Sequence, residues 1–201
     1  IGGRIIEVNN KLAKYVNSPE TNFFKKVNNL YNLNKARKVS NKYNEVYLVE
    51  GYMDVISLHN NHISNCVANL GTALTSKQIL LLGQFFSEII ICFDGDESGY
   101  KAALRAAENS LKFLQPEKQI SFLFLPEGED PDSYVKKKGK EQFLKYSDDN
   151  RIQIHKFIFN HYLNNSKKTP TELAMIEKKL KILSNSIEDS IVKKYVLGYF
   201  L

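Results

Sequence analysis

The chain has 201 residues, of which 43% are hydrophobic, and its 28 basic and 22 acidic residues give a net charge of +6. This composition suits a folded domain and excludes a disordered tail, a collagen-like fibre and a disulfide-rich mini-protein. No apolar run reaches the roughly 18–20 residues of a membrane span, and the two cysteines and four histidines lack zinc-site spacing. We therefore expect a cytoplasmic protein without membrane contact. Because the chain begins at Ile1 rather than Met, we also expect it to be part of a longer protein.

Charge is distributed unevenly along the chain. Residues 1–45 hold nine basic and three acidic residues, a net charge of +6. Residues 46–150 hold ten basic and fifteen acidic residues, a net charge of −5, and residues 151–201 hold nine and four, a net charge of +5. We take these three segments as the predicted domain division. Basic flanks attract polyanions, and an acidic centre suits divalent cations.

The central segment alternates between predicted strands and helices. Short apolar runs predict strands over 46–50, 66–70, 89–93 and 120–125. Pro126 is expected to end the fourth strand. Because strands and helices alternate at these lengths, the expected class is α/β with a mostly parallel sheet.

Helices are predicted between and after these strands. The first covers 53–60, and a capping box of Thr75 with Gln78 opens the second. The third covers 98–114, with four alanines (Ala102, Ala103, Ala106 and Ala107) as a small face for packing on the sheet. Asp132 is expected to cap a short fourth helix that stops near Gly139.

The two ends of the chain differ from the centre. Thr169, Pro170 and Glu172 predict a helix start, followed by apolar residues at helical spacing, and two further helices are expected over 151–164 and 189–201. The amino-terminal segment predicts a strand near 4–8, a basic loop and one short helix. The sheet is thus expected between a mixed amino-terminal part and a small helical appendage.

Acidic residues follow three of the predicted strands. They are Glu50 after the first strand, with Asp54 in the next helix, Asp94 and Asp96 after the third, and Asp130 and Asp132 after the fourth. Parallel strands present their carboxyl ends at one edge of a sheet, where open α/β sheets bind ligands. Converging carboxylates repel one another unless a cation lies between them. Hard oxygen ligands favour Mg²⁺ or Mn²⁺, ions that serve phosphoryl transfer.

Simpler explanations exist for these acids. A single Asp after a strand most often caps a helix or a turn. The run from Asp94 imitates an EF-hand loop, but its twelfth residue is Arg105 rather than Glu, and a strand precedes it. An aspartyl nucleophile at Asp94 would suit a phosphatase but leaves the other acidic strand ends unexplained. Three such ends together favour a metal site.

Several short motifs resemble the Toprim domain of bacterial DnaG-type DNA primases. They are VEGYMD at 49–54, NLGT at 69–72, FDGD at 93–96 and LPEGEDPDS at 125–133. Upstream, KYVNSPET at 14–21 and Gly2-Gly3-Arg4 resemble the stretch that leads into Toprim in the same family. The resemblance implies a Rossmann-like Toprim centre, a partial mixed amino-terminal subdomain and a helical carboxy-terminal subdomain.

The resemblance also implies a function: template-directed synthesis of short RNA primers on single-stranded DNA. Glu50, Asp94 and Asp96 would be catalytic metal ligands, with Asp130 and Asp132 completing the site and Asp54 nearby. The 3′ hydroxyl of one ribonucleotide would attack the α-phosphate of the next, with Mg²⁺ or Mn²⁺ stabilising the developing charge. A further group would contact nucleotide phosphates or the template, namely Arg4, Lys14, Asn17, Lys26 and Lys101.

Other features of the primase family fall outside this chain or depart from its pattern. The Zn²⁺-binding module and the domain that contacts the replicative helicase are expected in the longer protein. Glu97 stands where the family usually has an Arg, and Lys101 retains positive charge one turn later. Two alternatives stay open: a Toprim nuclease or topoisomerase piece, and a non-catalytic nucleic-acid-binding module.

Overall fold

The computed structural model describes residues 2–4, 15–17, 19–22, 24–69 and 74–201, with 2–4 and 15–17 described by backbone alone. The amino-terminal part contains an antiparallel pair, β1 (Gly2–Arg4) and β2 (Tyr15–Asn17). Short helical turns follow: a 3₁₀ turn at Lys26–Asn28, α1 (Leu33–Ala36) and a second 3₁₀ turn at Arg37–Val39.

A five-stranded sheet forms the centre of the described chain. Its strands are β3 (Glu45–Val49), β4 (Cys66–Ala68), β5 (Glu88–Gly95), β6 (Gln119–Glu127) and β7 (Ile152–Gln153). The spatial order is β4-β3-β5-β6-β7, and every neighbouring pair is parallel except β6 with β7. The predicted α/β class with a mostly parallel sheet is therefore confirmed.

Helices connect and cover these strands. They are α2 (Tyr52–Asn60), α3 (Ser76–Gly83), α4 (Glu97–Ser110, extended by a 3₁₀ turn at Leu111–Phe113), α5 (Pro131–Asn150), α6 (Ile154–Asn164), α7 (Pro170–Asn185) and α8 (Ser190–Phe200). Two starts follow the predicted chemistry, because the side chains of Thr75 and Thr169 accept the amides of Gln78 and Glu172. No helix in the described ranges is both long and apolar enough to cross a bilayer.

The sheet divides two apolar cores. On one face, alternate residues such as Leu48, Ile91 and Phe122 pack against α3, α4 and the carboxy-terminal helices. On the other face, Tyr47 and Leu123 pack against α2 and α5. Burying a large apolar side chain contributes about 1.5–3 kcal/mol relative to exposing it. The helices after residue 150 share the first of these cores with the sheet, and the division into three domains stays a prediction.

Several local predictions need correction. The prediction that Pro126 ends the fourth strand is wrong, since β6 reaches Glu127; β7 pairs only with Ser121 and Phe122, so Pro126 needs no N–H donor on that side. The second strand ends at Ala68, and Leu70 lies outside the described residues. The strand predicted near 4–8 is described only at its start, where β1 covers Gly2–Arg4, and residues 5–8 lie outside the described residues.

The predicted cap of the fourth helix is also wrong. Asp130, not Asp132, caps α5, because Pro131 takes the first helical position, which suits its fixed φ. Gly139 does interrupt the helix, with φ 78° and ψ 173°, but a second helical stretch continues to Asn150. The predicted stop is thus a kink.

At the amino ends of the strands, one arginine forms ion pairs with three carboxylates. Arg151 lies 2.7 Å from Glu45 and 3.6 Å from Glu88, and its other terminal nitrogen lies 3.3 Å from Asp148. The Ser121 hydroxyl donates to Glu88 at 2.6 Å. We call Arg151, Glu45, Glu88 and Asp148 the basal cluster.

Candidate active site

Three neighbouring strands end in acidic residues at the opposite edge of the sheet. Glu50 comes directly after β3, and Asp94 is the next-to-last residue of β5, with Asp96 just beyond the strand. Asp130 lies in the short loop between β6 and α5. Since β3, β5 and β6 are adjacent and parallel, their carboxyl ends share one edge. We call these four residues the acidic edge.

A close approach between two strands fixes the position of this edge. A Cβ at Gly95 would lie 2.4 Å from the Pro126 carbonyl oxygen and 2.5 Å from that of Leu125. The Gly95 amide donates to the Glu129 carbonyl at 3.3 Å. Only glycine allows the backbone between Asp94 and Asp96 to lie this close to β6. The pairing register shifts at the same point.

The acidic side chains act on one another electrostatically. Partial desolvation, and after it the charges of Asp94 and Asp96, raise the pKa of Glu50. Partial burial, and then the charges of Asp130 and Asp96, raise the pKa of Asp94. Like charges disfavour ionisation of their neighbours, so these shifts place the four carboxylates in one field.

Asp54 lies behind the edge and is 8% exposed. Burial is the main cause that raises its pKa to about 7, although amide donors from Gly51 and Asp132 oppose the shift and Asp130 and Asp94 add to it. The Gly51 amide donates to the Asp54 carboxylate at 3.0 Å. Asp54 thus connects the start of α2 to the start of α5.

Two acids of the edge also have the structural role that a lone Asp usually has. Asp96 accepts the Gly99 amide at 2.6 Å and caps α4. Asp130 accepts the Ser133 amide at 2.6 Å and caps α5. A carboxylate has about four lone-pair positions, so a cap does not exhaust its capacity as a ligand.

Asp132 has a different environment from the acidic edge. Its carboxylate pairs with Lys136 at 2.8 Å. Burial alone would raise the pKa of Asp132, but hydrogen bonds from Lys136 and Ser57 hold it below the usual value. The structure therefore places Asp132 in the first turn of α5, where it contacts Ser57 of α2 and Lys136.

A metal is compatible with the chemistry of these residues. No group of three or more His, Cys, Asp or Glu side chains within the described ranges stands ready to hold an ion. In this arrangement Asp96 and Asp130 cap helices, and Asp132 pairs with Lys136. The donors are nonetheless carboxylates that repel one another, which is the donor set that a hard divalent cation neutralises.

The structure describes only some of the predicted basic residues and their neighbours. Lys14 lies outside the described residues, and Arg4 and Asn17 are described by backbone alone, in the β1–β2 pair. Lys26 begins a 3₁₀ turn whose carbonyls accept bonds from the start of α3, through Gln78 and Thr75.

Lys101 lies on the first turns of α4. It forms an exposed ion pair of 2.6 Å with Glu97, where the resemblance implies an Arg. The positive charge of Lys101 is therefore balanced within its own helix. A nucleotide phosphate would have to compete with Glu97 for this ammonium group.

Sequence reasoning missed several residues around the site. Ser57 contacts Asp132 from α2, and Lys137 pairs with Glu129 at 2.6 Å. Cys92 lies beneath the edge; burial, and then the charges of Asp54, Asp94 and Glu50, raise the pKa of its thiol. The Leu70, Gly71 and Thr72 part of the NLGT motif lies outside the described residues. Nothing local in the sequence signals the Ser57 contact.

Two family models match the chain. A Toprim domain model matches residues 44–124, and a model of the DNA primase catalytic core, N-terminal domain, matches residues 1–37. Together they cover the amino-terminal part and most of the sheet.

Curated and solved relatives agree with these matches. The chain is 42% identical to the DNA primase of Rickettsia felis over 99% of its own length and 33% of the relative. It superposes with TM-score 0.92 on a DNA primase domain from Pseudomonas aeruginosa, at 37% identity, covering 99% of this chain and 62% of that one. A DnaG primase catalytic domain bound to single-stranded DNA gives TM-score 0.89 at 36% identity, covering 99% and 64%. The chain thus spans about a third of the curated relatives it matches.

Proposed function

Because this chain belongs to the family of DnaG-type bacterial DNA primases, we propose that it carries the catalytic centre of an enzyme that makes short RNA primers. The substrates are ribonucleoside triphosphates, and the template is single-stranded DNA. One observation carries the proposal: adjacent strands β3, β5 and β6 bring four carboxylates into one field at the ligand-binding edge of a parallel sheet.

The acidic edge would hold the divalent cations of the reaction, Mg²⁺ or Mn²⁺. Glu50, Asp94 and Asp96 would be ligands, with Asp130 and Asp132 completing the site and Asp54 supporting it from behind. When bound, such a cation stabilises the negative charge that builds up as a phosphodiester bond forms. Burial, and after it the neighbouring carboxylates, raise the pKa values of Glu50 and Asp94, and a cation among these carboxylates would offset their mutual repulsion.

Basic residues of the amino-terminal part would bind the polyanions. Arg4, Lys14, Asn17 and Lys26 would contact nucleotide phosphates or the template strand, with Lys101 on α4. Such contacts supply affinity that is independent of sequence and falls with salt. Substituting Lys14→Ala should therefore reduce the salt dependence of single-stranded DNA binding, and an unchanged slope would remove Lys14 from this group.

Further partners belong to the longer protein. A zinc module and a domain that contacts the replicative helicase would complete the primase in the bacterial cytoplasm. A Toprim nuclease or topoisomerase is not favoured, because the matching relatives are primases.

A single gel tests the proposal. The chain is incubated with labelled ribonucleotides, single-stranded DNA and Mn²⁺, beside Asp94→Asn and a control, Asp148→Asn in the basal cluster. We expect ribonucleotide products from the wild type and the control and none from Asp94→Asn. Shortened DNA would indicate a nuclease. Products that persist in Asp94→Asn, or no product from the wild type, would contradict the proposal for this chain.

A further inference from the structure

A cavity of about 540 Å³ opens beside Glu50, on the face of the sheet that α4 covers. Its walls are mainly apolar and include Leu74, Ile91, Phe93, Ala102 and Ala106. Mostly apolar clefts of roughly 300–1,000 Å³ with a few polar groups are typical of small-molecule sites. We call this space the α4 cavity.

The cavity exists because α4 carries methyl side chains at two lining positions. Ala103 and Ala107 are fully buried and bring the helix close to the sheet. Ala102 and Ala106, which directly precede these two alanines, are only partly buried and line the open space. The alanine face predicted for packing therefore has two parts, one that packs and one that borders the cavity.

One polar atom in the wall has an unmet hydrogen-bonding requirement. Asn69 follows β4 and lines the cavity, and its buried Oδ1 has no hydrogen-bond partner among the residues that the structure describes. A buried acceptor left unpaired costs free energy, so an N–H donor in the cavity would be favoured. Two further polar side chains, Arg105 and Asn109, line it from exposed positions on α4.

We propose that the α4 cavity receives the base of a ribonucleotide whose phosphates lie at the acidic edge. This inference rests on the proposed function and adds a base-binding subsite to it. Glu50 lines the cavity and also belongs to the acidic edge, so one nucleotide could reach both. The apolar walls suit the faces of a base, and Asn69 Oδ1 would accept a base N–H. Arg105, with five N–H donors, would contact the sugar-phosphate at the mouth.

A cavity-filling substitution tests the subsite. Ala106→Phe places a ring in the space, and Ala174→Phe makes the same change at an exposed position of α7. Affinities for ATP and for inorganic tripolyphosphate, which has no base, are measured with Mn²⁺ by calorimetry. We expect Ala106→Phe to weaken ATP binding about tenfold or more and to leave tripolyphosphate binding unchanged. Ala174→Phe should bind both as the wild type does.

A second variant covers the case in which Ala106→Phe does not fold. Asn69→Ala should weaken ATP binding about three- to tenfold, again without effect on tripolyphosphate. Unchanged ATP affinity in a folded Ala106→Phe or in Asn69→Ala, or equal losses for both ligands, would overturn the subsite.

Failure of the primase proposal gives a different pattern from failure of the subsite. If only the subsite is wrong, ATP binding survives Ala106→Phe and is lost in Asp94→Asn. If the primase proposal is wrong, the wild type shows no Mn²⁺-dependent binding of either ligand, and Asp94→Asn changes nothing.

Discussion

The two ends of the central sheet use the same residue types for opposite purposes. At the amino ends, Glu45, Glu88 and Asp148 surround Arg151 at distances of 2.7, 3.6 and 3.3 Å. At the carboxyl ends, burial and then the charges of neighbouring carboxylates raise the pKa values of Glu50 and Asp94. The basal cluster is therefore complete in itself, whereas the acidic edge lacks a compensating cation among its described neighbours.

This difference shows which end of the sheet contributes to stability and which to function. A paired set of charges needs no ligand, so the basal cluster stabilises the fold as it stands. Grouped like charges oppose folding until a cation arrives, which is the usual relation between an active site and its scaffold. Removing charge should consequently have opposite effects at the two ends.

The largest effect is expected from Arg151→Met. The substitution leaves Glu45 and Glu88 without their partner at a site where each is mostly buried, so the free energy of unfolding should fall by about 3 kcal/mol. Urea denaturation measures the change. Lys156→Met, which removes an exposed cation, should change it by less than about 0.5 kcal/mol. Equal effects of the two substitutions would contradict the special role of Arg151.

A smaller loss is expected from Gly95→Ala, about 2 kcal/mol. The new methyl group would meet the Pro126 and Leu125 carbonyl oxygens at 2.4 and 2.5 Å and force β5 and β6 apart. Mn²⁺ binding should weaken as well, because Asp94 and Asp96 flank this residue. The control is Gly198→Ala in α8, where a methyl group meets nothing within 4 Å and should add up to about 1 kcal/mol. A stable Gly95→Ala variant would show that the close approach is not required.

The smallest change concerns one hydrogen bond of the basal cluster. Ser121→Ala removes the 2.6 Å bond from a buried hydroxyl to Glu88, so the free energy of unfolding should decrease by about 1 kcal/mol. Mn²⁺ affinity should stay the same, since the acidic edge is untouched. Ser190→Ala, at the exposed start of α8, is the control, and it should leave the free energy of unfolding nearly unchanged. A loss of Mn²⁺ affinity in Ser121→Ala would mean that the two ends are coupled.

Much of the fold could be predicted because its signals are local. Thr75 with Gln78, and Thr169 with Pro170, place hydrogen-bonding side chains and a proline at fixed offsets from a helix start. The uniform apolar run at 89–93 similarly predicts a strand buried on both faces.

The missed features depend on contacts between distant parts of the chain. β6 continues through Pro126 only because the neighbouring strand β7 is too short to require its amide. Asp132 is turned toward Lys136 and Ser57, and Ser57 lies about 75 positions earlier in the sequence. The α4 cavity likewise arises from the spacing of a helix over a sheet, which alanine positions alone do not determine.

The most direct test of this account is a Mn²⁺ titration, measured by calorimetry, of the wild type, Asp94→Asn and Asp148→Asn. The acidic edge should bind Mn²⁺ in the wild type and in Asp148→Asn, and Asp94→Asn should bind it more than about 100-fold more weakly. Without metal, Asp94→Asn should be at least as stable as the wild type, because it relieves repulsion. Equal Mn²⁺ affinity in all three proteins, or a loss in Asp148→Asn as large as that in Asp94→Asn, would contradict the assignment of the two ends.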